Sequence, residues 1–149
     1  MSSSPRKLPV FTPPGGPPRS PRPAPEILAA IGEKGVFQML SDLYKRLDTS
    51  DARHLFPDDM QTASERSAAF FVQLLGGRPL FSMTYGPPQM RARHIPFEID
   101  EAARQTWLAC FSAVLDDAEA NYGFPPEHLD GFRAFLQSFS SWMVNVAPK

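Results

Sequence analysis

From Glu26 onward, apolar residues recur at three- and four-residue spacings, the period of a helix with one buried face. Ile27, Leu28, Ile31, Val36, Phe37, Leu40, Leu43, Tyr44 and Leu47 carry the first run. Gly32 and Gly35 interrupt it, which predicts a short helix and then a longer one ending at Asp48-Thr49-Ser50-Asp51. A Leu55-Phe56-Pro57-Asp58-Asp59 corner leads into a third helix, roughly residues 61–75, closed by Gly76-Gly77. Between Arg78 and Gln89 the period fades among Pro79, Gly86, Pro87 and Pro88, so an ordered loop is expected. One or two helical turns around His94 should stop at Pro96. Asp100 is a good N-cap for the next helix, with Glu101 near the positive end of its dipole. That helix puts Ala103, Trp107, Cys110, Phe111, Val114 and Ala118 on one face and ends near Gly123. Pro125-Pro126-Glu127 opens the last helix, whose buried side is Leu129, Phe132, Leu136, Phe139, Met143 and Val146. No segment alternates as a strand does, so the fold class is all-α, with five or six helices.

Ahead of this pattern, residues 1–25 hold nine of the 17 prolines. They lack the backbone donors for regular structure and the apolar residues for a core. A disordered, polyproline-like extension is expected there, with the folded domain at residues 26–149. The extension is about +4 and the remainder about −5, because Arg6, Lys7, Arg19 and Arg22 precede the first acidic residue, Glu26. The net charge of −1 gives no footing for nucleic acid. No run approaches the length of a membrane span and no signal-peptide core is present, so no membrane partner and a cytoplasmic location are expected. The single cysteine, Cys110, reads as a buried inert thiol.

Candidate chemistry narrows to one histidine. The chain has three, with no cluster of metal-ligand spacing. His94 ends the basic stretch Met90-Arg91-Ala92-Arg93 and is backed by Ile95-Pro96-Phe97. Its imidazole is either an axial iron ligand or a surface histidine at a helix end. Twelve phenylalanines and two tryptophans serve either an aromatic core or a slot for a flat cofactor. Composition leaves both pairs of alternatives open.

Motif order goes further. Phe56-Pro57-Asp58-Asp59, Phe70-Phe71 before Gly76-Gly77, Arg91-Ala92-Arg93-His94-Ile95-Pro96-Phe97 and Trp107-Leu108-Ala109-Cys110 together resemble the group II truncated haemoglobins, or two-over-two globins. The resemblance covers about residues 30–146. It implies two antiparallel helix pairs around haem b, with His94 as the metal ligand. Phe56, Phe70, Met90, Arg93 and Phe97 join His94 in the implied cofactor-binding set, with Arg93 the choice for a propionate. The implied distal wall is Tyr44, Ala63, Ser67 and Trp107. Phe56 stands where many relatives carry tyrosine, and Ser67 where leucine or glutamine is more usual. A neutral axial imidazole needs an acceptor for its second N–H, and carbonyls left open where the His94 helix stops would supply one. The Ser67 hydroxyl is expected to bond its own helix carbonyl.

The resemblance implies binding of dioxygen, NO, CO or similar small ligands, with oxygen transport among the roles. An enzymatic role stays open: NO dioxygenase or peroxidase-like turnover would need an external reductase, since the chain carries no flavin or nicotinamide motif. A third reading, from another class, is a haem-based sensor or interaction module acting through Pro17-Pro18-Arg19-Ser20-Pro21-Arg22-Pro23. The oligomeric state, monomer or homodimer, is not written in the pattern.

Overall fold

The computed structural model describes residues 6–18 and 22–148. Among them the regular structure is helical throughout: α1 (Pro25–Leu47), α2 (Met60–Leu74), α3 (Leu80–Tyr85), α4 (Met90–His94), α5 (Glu101–Asp116), α6 (Ala118–Tyr122) and α7 (Leu129–Met143). Short 3-10 turns at Arg53–Leu55 and Pro126–His128 complete it. α1 packs chiefly on α2 and α5 chiefly on α7, while α1 also lies against α5. Two helix pairs in mutual contact are the two-over-two arrangement.

Local sequence explains most of the boundaries. Gly32 sits at φ 69° and ψ 172°, a conformation costly for any residue with a Cβ, and it kinks α1 into the expected short and long parts. α2 begins on Asp59, whose carboxylate accepts from the Thr62 backbone N–H at 3.0 Å. It ends in a Schellman motif: Gly77 N–H donates to Val72 O at 2.9 Å, and Gly76 N–H to Gln73 O at 3.1 Å. Gly76 takes the required positive φ of 92°. A Cβ on Gly77 would lie 2.7 Å from Leu28 Cδ2, so its bareness lets the start of α1 close on the end of α2. Asp100 caps α5 through the Ala103 N–H at 2.8 Å.

Three expectations need correction. The loop expected over Arg78–Gln89 contains α3, a helix of six residues between Pro79 and Gly86. The helix expected to run from Asp100 to Gly123 breaks at Asp117 into α5 and α6. The segment expected to be disordered through residue 25 lies, over Arg6–Phe11, against its own domain: Phe11 N–H donates to Asn145 O at 2.9 Å. The physical reason is that Arg6 satisfies carbonyls that helix ends leave open, including Ile95 O and Phe97 O. The motif at residues 17–23 falls partly outside the described residues.

The core is aromatic at its centre. Phe71, Phe111, Phe124 and Phe132 are nearly or fully buried, with ring centroids 5.5 to 6.2 Å apart along the chain of contacts that joins them. Arginines stitch α5 to α7 outside it: Arg104 donates to Ser140 Oγ at 3.0 Å, and Arg133 to Ser112 Oγ at 2.6 Å. Among the described residues no helix is long and apolar enough to cross a membrane.

Candidate functional site

One wall of the site comes from α1, the Phe56 corner and α2. Tyr44 is 8% exposed and meets the Phe56 ring edge-on at 5.5 Å. Its hydroxyl lies 2.6 Å from Ser67 Oγ. The expectation that Ser67 bonds its own helix carbonyl is therefore corrected: it pairs with Tyr44 across the two helices. Burial pushes the Tyr44 pKa up, against the opposing effects of Ser67 and the nearby Arg66 charge, so the phenol keeps its proton. Ala63 and Phe70 are partly buried on α2 one turn either side of Ser67, as helical spacing requires.

A second wall is α4, held in place by unusual backbone. Gln89 caps it at φ 35°, a left-handed conformation for a residue with a full side chain. His94 Nδ1 lies 2.6 Å from Met90 O. A carbonyl only accepts, so the proton is on Nδ1 and Nε2 carries a free lone pair. The acceptor is one turn back along the same helix rather than at its end. Burial lowers the His94 pKa, partly offset by the Met90 bond, which keeps the ring neutral. Nε2 has no hydrogen-bond partner among the described residues, yet it is not sealed away. A half-buried imidazole with its tautomer fixed and its ligating nitrogen unclaimed among the described residues has the donor chemistry of an axial iron ligand.

Trp107 is the candidate site residue on α5, packed against the core. Its ring meets Phe111 edge-on at 5.3 Å. The indole N–H has no acceptor among the described residues and also keeps access to open space. From Phe111 ring contacts continue through Phe71 to Phe70, which stacks on Phe139 at 5.6 Å. Phe70 and Met90 share an open cleft of about 430 Å³ with Phe139, Trp142 and Met143. Phe97 is partly buried just after His94 and turns back to donate its N–H to His94 O at 3.0 Å. The largely apolar and aromatic lining of this cleft suits a flat, largely apolar cofactor.

Arg93 does not fit its expected place. It is exposed and its guanidinium clamps the turn before α4, donating to Tyr85 O at 2.9 Å, Pro87 O at 2.8 Å and Pro88 O at 2.8 Å. It also covers the Phe81 ring at 4.9 Å. With Nε and Nη2 engaged, this cation serves the loop rather than standing free for a carboxylate. The pattern missed Arg66 on α2, which rests over the Tyr85 ring at 5.1 Å without a hydrogen bond or ion pair among the described residues. Only its position beside Ser67 signalled it. His54 is exposed at the corner, and Cys110 is partly buried, with its thiol pKa pushed up by that burial. Among the described residues no three His, Cys, Asp or Glu side chains converge as a metal cluster would.

Comparison with known proteins bears on the same residues. The family model described as Bacterial-like globin matches residues 27–144. The group 2 truncated hemoglobin YjbI of Bacillus subtilis is 34% identical over 88 residues, 58% of this chain and 67% of that one. The crystal structure of phosphate-bound Hell's gate globin IV superposes with a TM-score of 0.80 at 34% identity, covering 89% of this chain and 82% of that one. A truncated oxygen-avid haemoglobin from Bacillus subtilis gives a TM-score of 0.73 at 31% identity, covering 82% of this chain and 99% of the other.

Proposed function

This chain belongs to the bacterial-like globin family, with group II truncated haemoglobins as its relatives, and from there we propose that it holds haem b on His94 and binds dioxygen beside Tyr44 and Trp107. The family implies haem-based ligand binding; the cofactor type, the ligand and the residue roles are our reading. Haem, when bound, would supply an iron able to take up a diatomic ligand.

His94 presents a ligating nitrogen because the Met90 carbonyl takes the proton of the other one. On the proposed ligand side, Tyr44 and Ser67 bring two hydroxyl protons, and their mutual bond uses one. One O–H is left to point at a ligand. The Trp107 N–H is a second donor. A diatomic ligand that gained negative charge on binding would be held by such donors. Ala63 brings only a methyl group to its face of α2. Arg66, which makes no hydrogen bond or ion pair among the described residues, is the cation we assign to a propionate.

The observation that carries the reading is the Nε2 of a half-buried, neutral His94, unclaimed among the described residues. The oxygen-avid relative supports dioxygen as the ligand. NO and CO would meet the same donors, and turnover of NO or peroxide would draw electrons from an external reductant. No observation favours the sensor reading, since Arg6–Phe11 turns towards its own domain. After haemin loading and reduction, air should give a stable oxygenated spectrum that dithionite removes and CO displaces. Immediate oxidation to the ferric form on each exposure to air would refute dioxygen binding as the activity.

A further inference from the structure

We propose that Arg6 is a positioning residue for His94, acting through Asn145, so that the N-terminal segment is a working part of the proximal wall. The inference rests on the haem reading for its consequence at the iron, but the contacts stand without it.

Arg6 lies 89 residues before Ile95 in sequence and reaches the connection that leaves His94. Its Nη1 donates to Ile95 O at 3.1 Å, Phe97 O at 3.0 Å and Asn145 Oδ1 at 2.7 Å. Nη2 donates to Pro9 O at 3.1 Å and closely to Asn145 O, and Nε to Leu8 O at 2.8 Å, which folds the segment around its own arginine. Few side chains other than a guanidinium present donors in a planar fork able to serve so many carbonyls at once.

Asn145 is the relay. It is 0% exposed although its side chain is polar. Its Nδ2 donates to His94 O at 3.2 Å, and its Oδ1 accepts from Ile99 N–H at 3.0 Å as well as from Arg6. The Asn145 backbone N–H donates to Ile99 O at 2.9 Å. One side chain thus touches the carbonyl of the proposed ligand residue, the far end of its connection and the N-terminal arginine.

The domain answers from its own side. Arg91, on α4 three residues before His94, donates to Phe11 O at 2.7 Å and to Val144 O at 3.0 Å. Burial first and the Arg6 charge second lower the Arg91 pKa, so the two guanidiniums need compensation. The open carbonyls where α7 ends provide it, at the negative end of that helix. A passive cover would need only apolar contact. Here a one-turn helix, too short to fix its own orientation, is bonded from both sides by charged donors.

The full-length protein tests this with Arg6→Ala, Arg6→Lys and, as a control, the exposed neighbour Lys7→Ala. In the apoprotein, amide exchange at Ile99 and Asn145 should quicken by about tenfold in Arg6→Ala, the loss expected for hydrogen bonds to a charged group. Arg6→Lys should behave like the alanine variant, because an ammonium keeps the charge but not the fork. After haemin loading and reduction, the iron–histidine stretching band should shift in both Arg6 variants and stay put in Lys7→Ala. Unchanged exchange in Arg6→Ala would overturn the clamp. Faster exchange with an unshifted band would overturn the positioning role and leave Arg6 a structural tie. Failure of every variant and the wild type to take up haemin would sink the haem reading, while the exchange result would still decide the clamp.

Discussion

Replacing His94 with alanine is expected to weaken haemin binding by at least about a hundredfold. Outer partners of a metal ligand are worth roughly tenfold to a hundredfold in affinity, and the ligand itself should cost no less than the upper end of that range. The fold should survive the change. His94 sits on the five-residue α4 outside the buried core cluster, and among the described residues its ring bonds only Met90 O. Far-UV circular dichroism of the variant should therefore match the wild type while haemin affinity collapses. Equal affinity in a folded variant would remove His94 from the iron.

The second large effect lies across the cofactor. Tyr44→Phe should leave haem bound and raise the dioxygen off-rate by roughly tenfold to a hundredfold, the cost of one hydrogen bond to a group bearing charge. Ser67 makes the sign informative. When a ligand is present, Ser67 can donate to the Tyr44 oxygen and leave the phenol proton for the ligand, a chain in which each bond polarises the next. Ser67→Ala should raise the off-rate in the same direction but by less than about tenfold, since it removes a neutral bond and leaves the phenol in place. Stopped-flow displacement of dioxygen by CO measures both. An unchanged rate in Tyr44→Phe would assign the donor role to Trp107 alone, and a larger effect from Ser67→Ala than from Tyr44→Phe would invert the order proposed here.

The legible parts of this fold are those set by neighbours in sequence. Gly76-Gly77 announces the end of α2 because a Schellman turn needs a positive φ one residue past the helix. Asp100 announces α5 because its carboxylate reaches only its own first turn. The short α3 escaped because six residues between Pro79 and Gly86 give too little period to detect. The break at Asp117 escaped because no glycine or proline marks it.

Site residues divide in the same way. His94 stood out through its flanking motif, and its Met90 acceptor is only four residues away. The Tyr44–Ser67 pair joins residues 23 apart on different helices, so only packing reveals that the two hydroxyls meet. The freedom of Arg66 and the engagement of Arg93 depend on where Tyr85, Pro87 and Pro88 fall after folding. Arg6 is the extreme case. Its proline-rich surroundings signal an unstructured tail, whereas its main partner, Asn145, is 139 residues away.

The central claim is that this chain holds haem through the open nitrogen of His94. A titration of the purified apoprotein with haemin, followed at the Soret band, tests it most directly. The wild type should give a saturable Soret transition with one haemin per chain, and His94→Ala a far weaker one. A wild-type titration that never saturates above the spectrum of free haemin would contradict it.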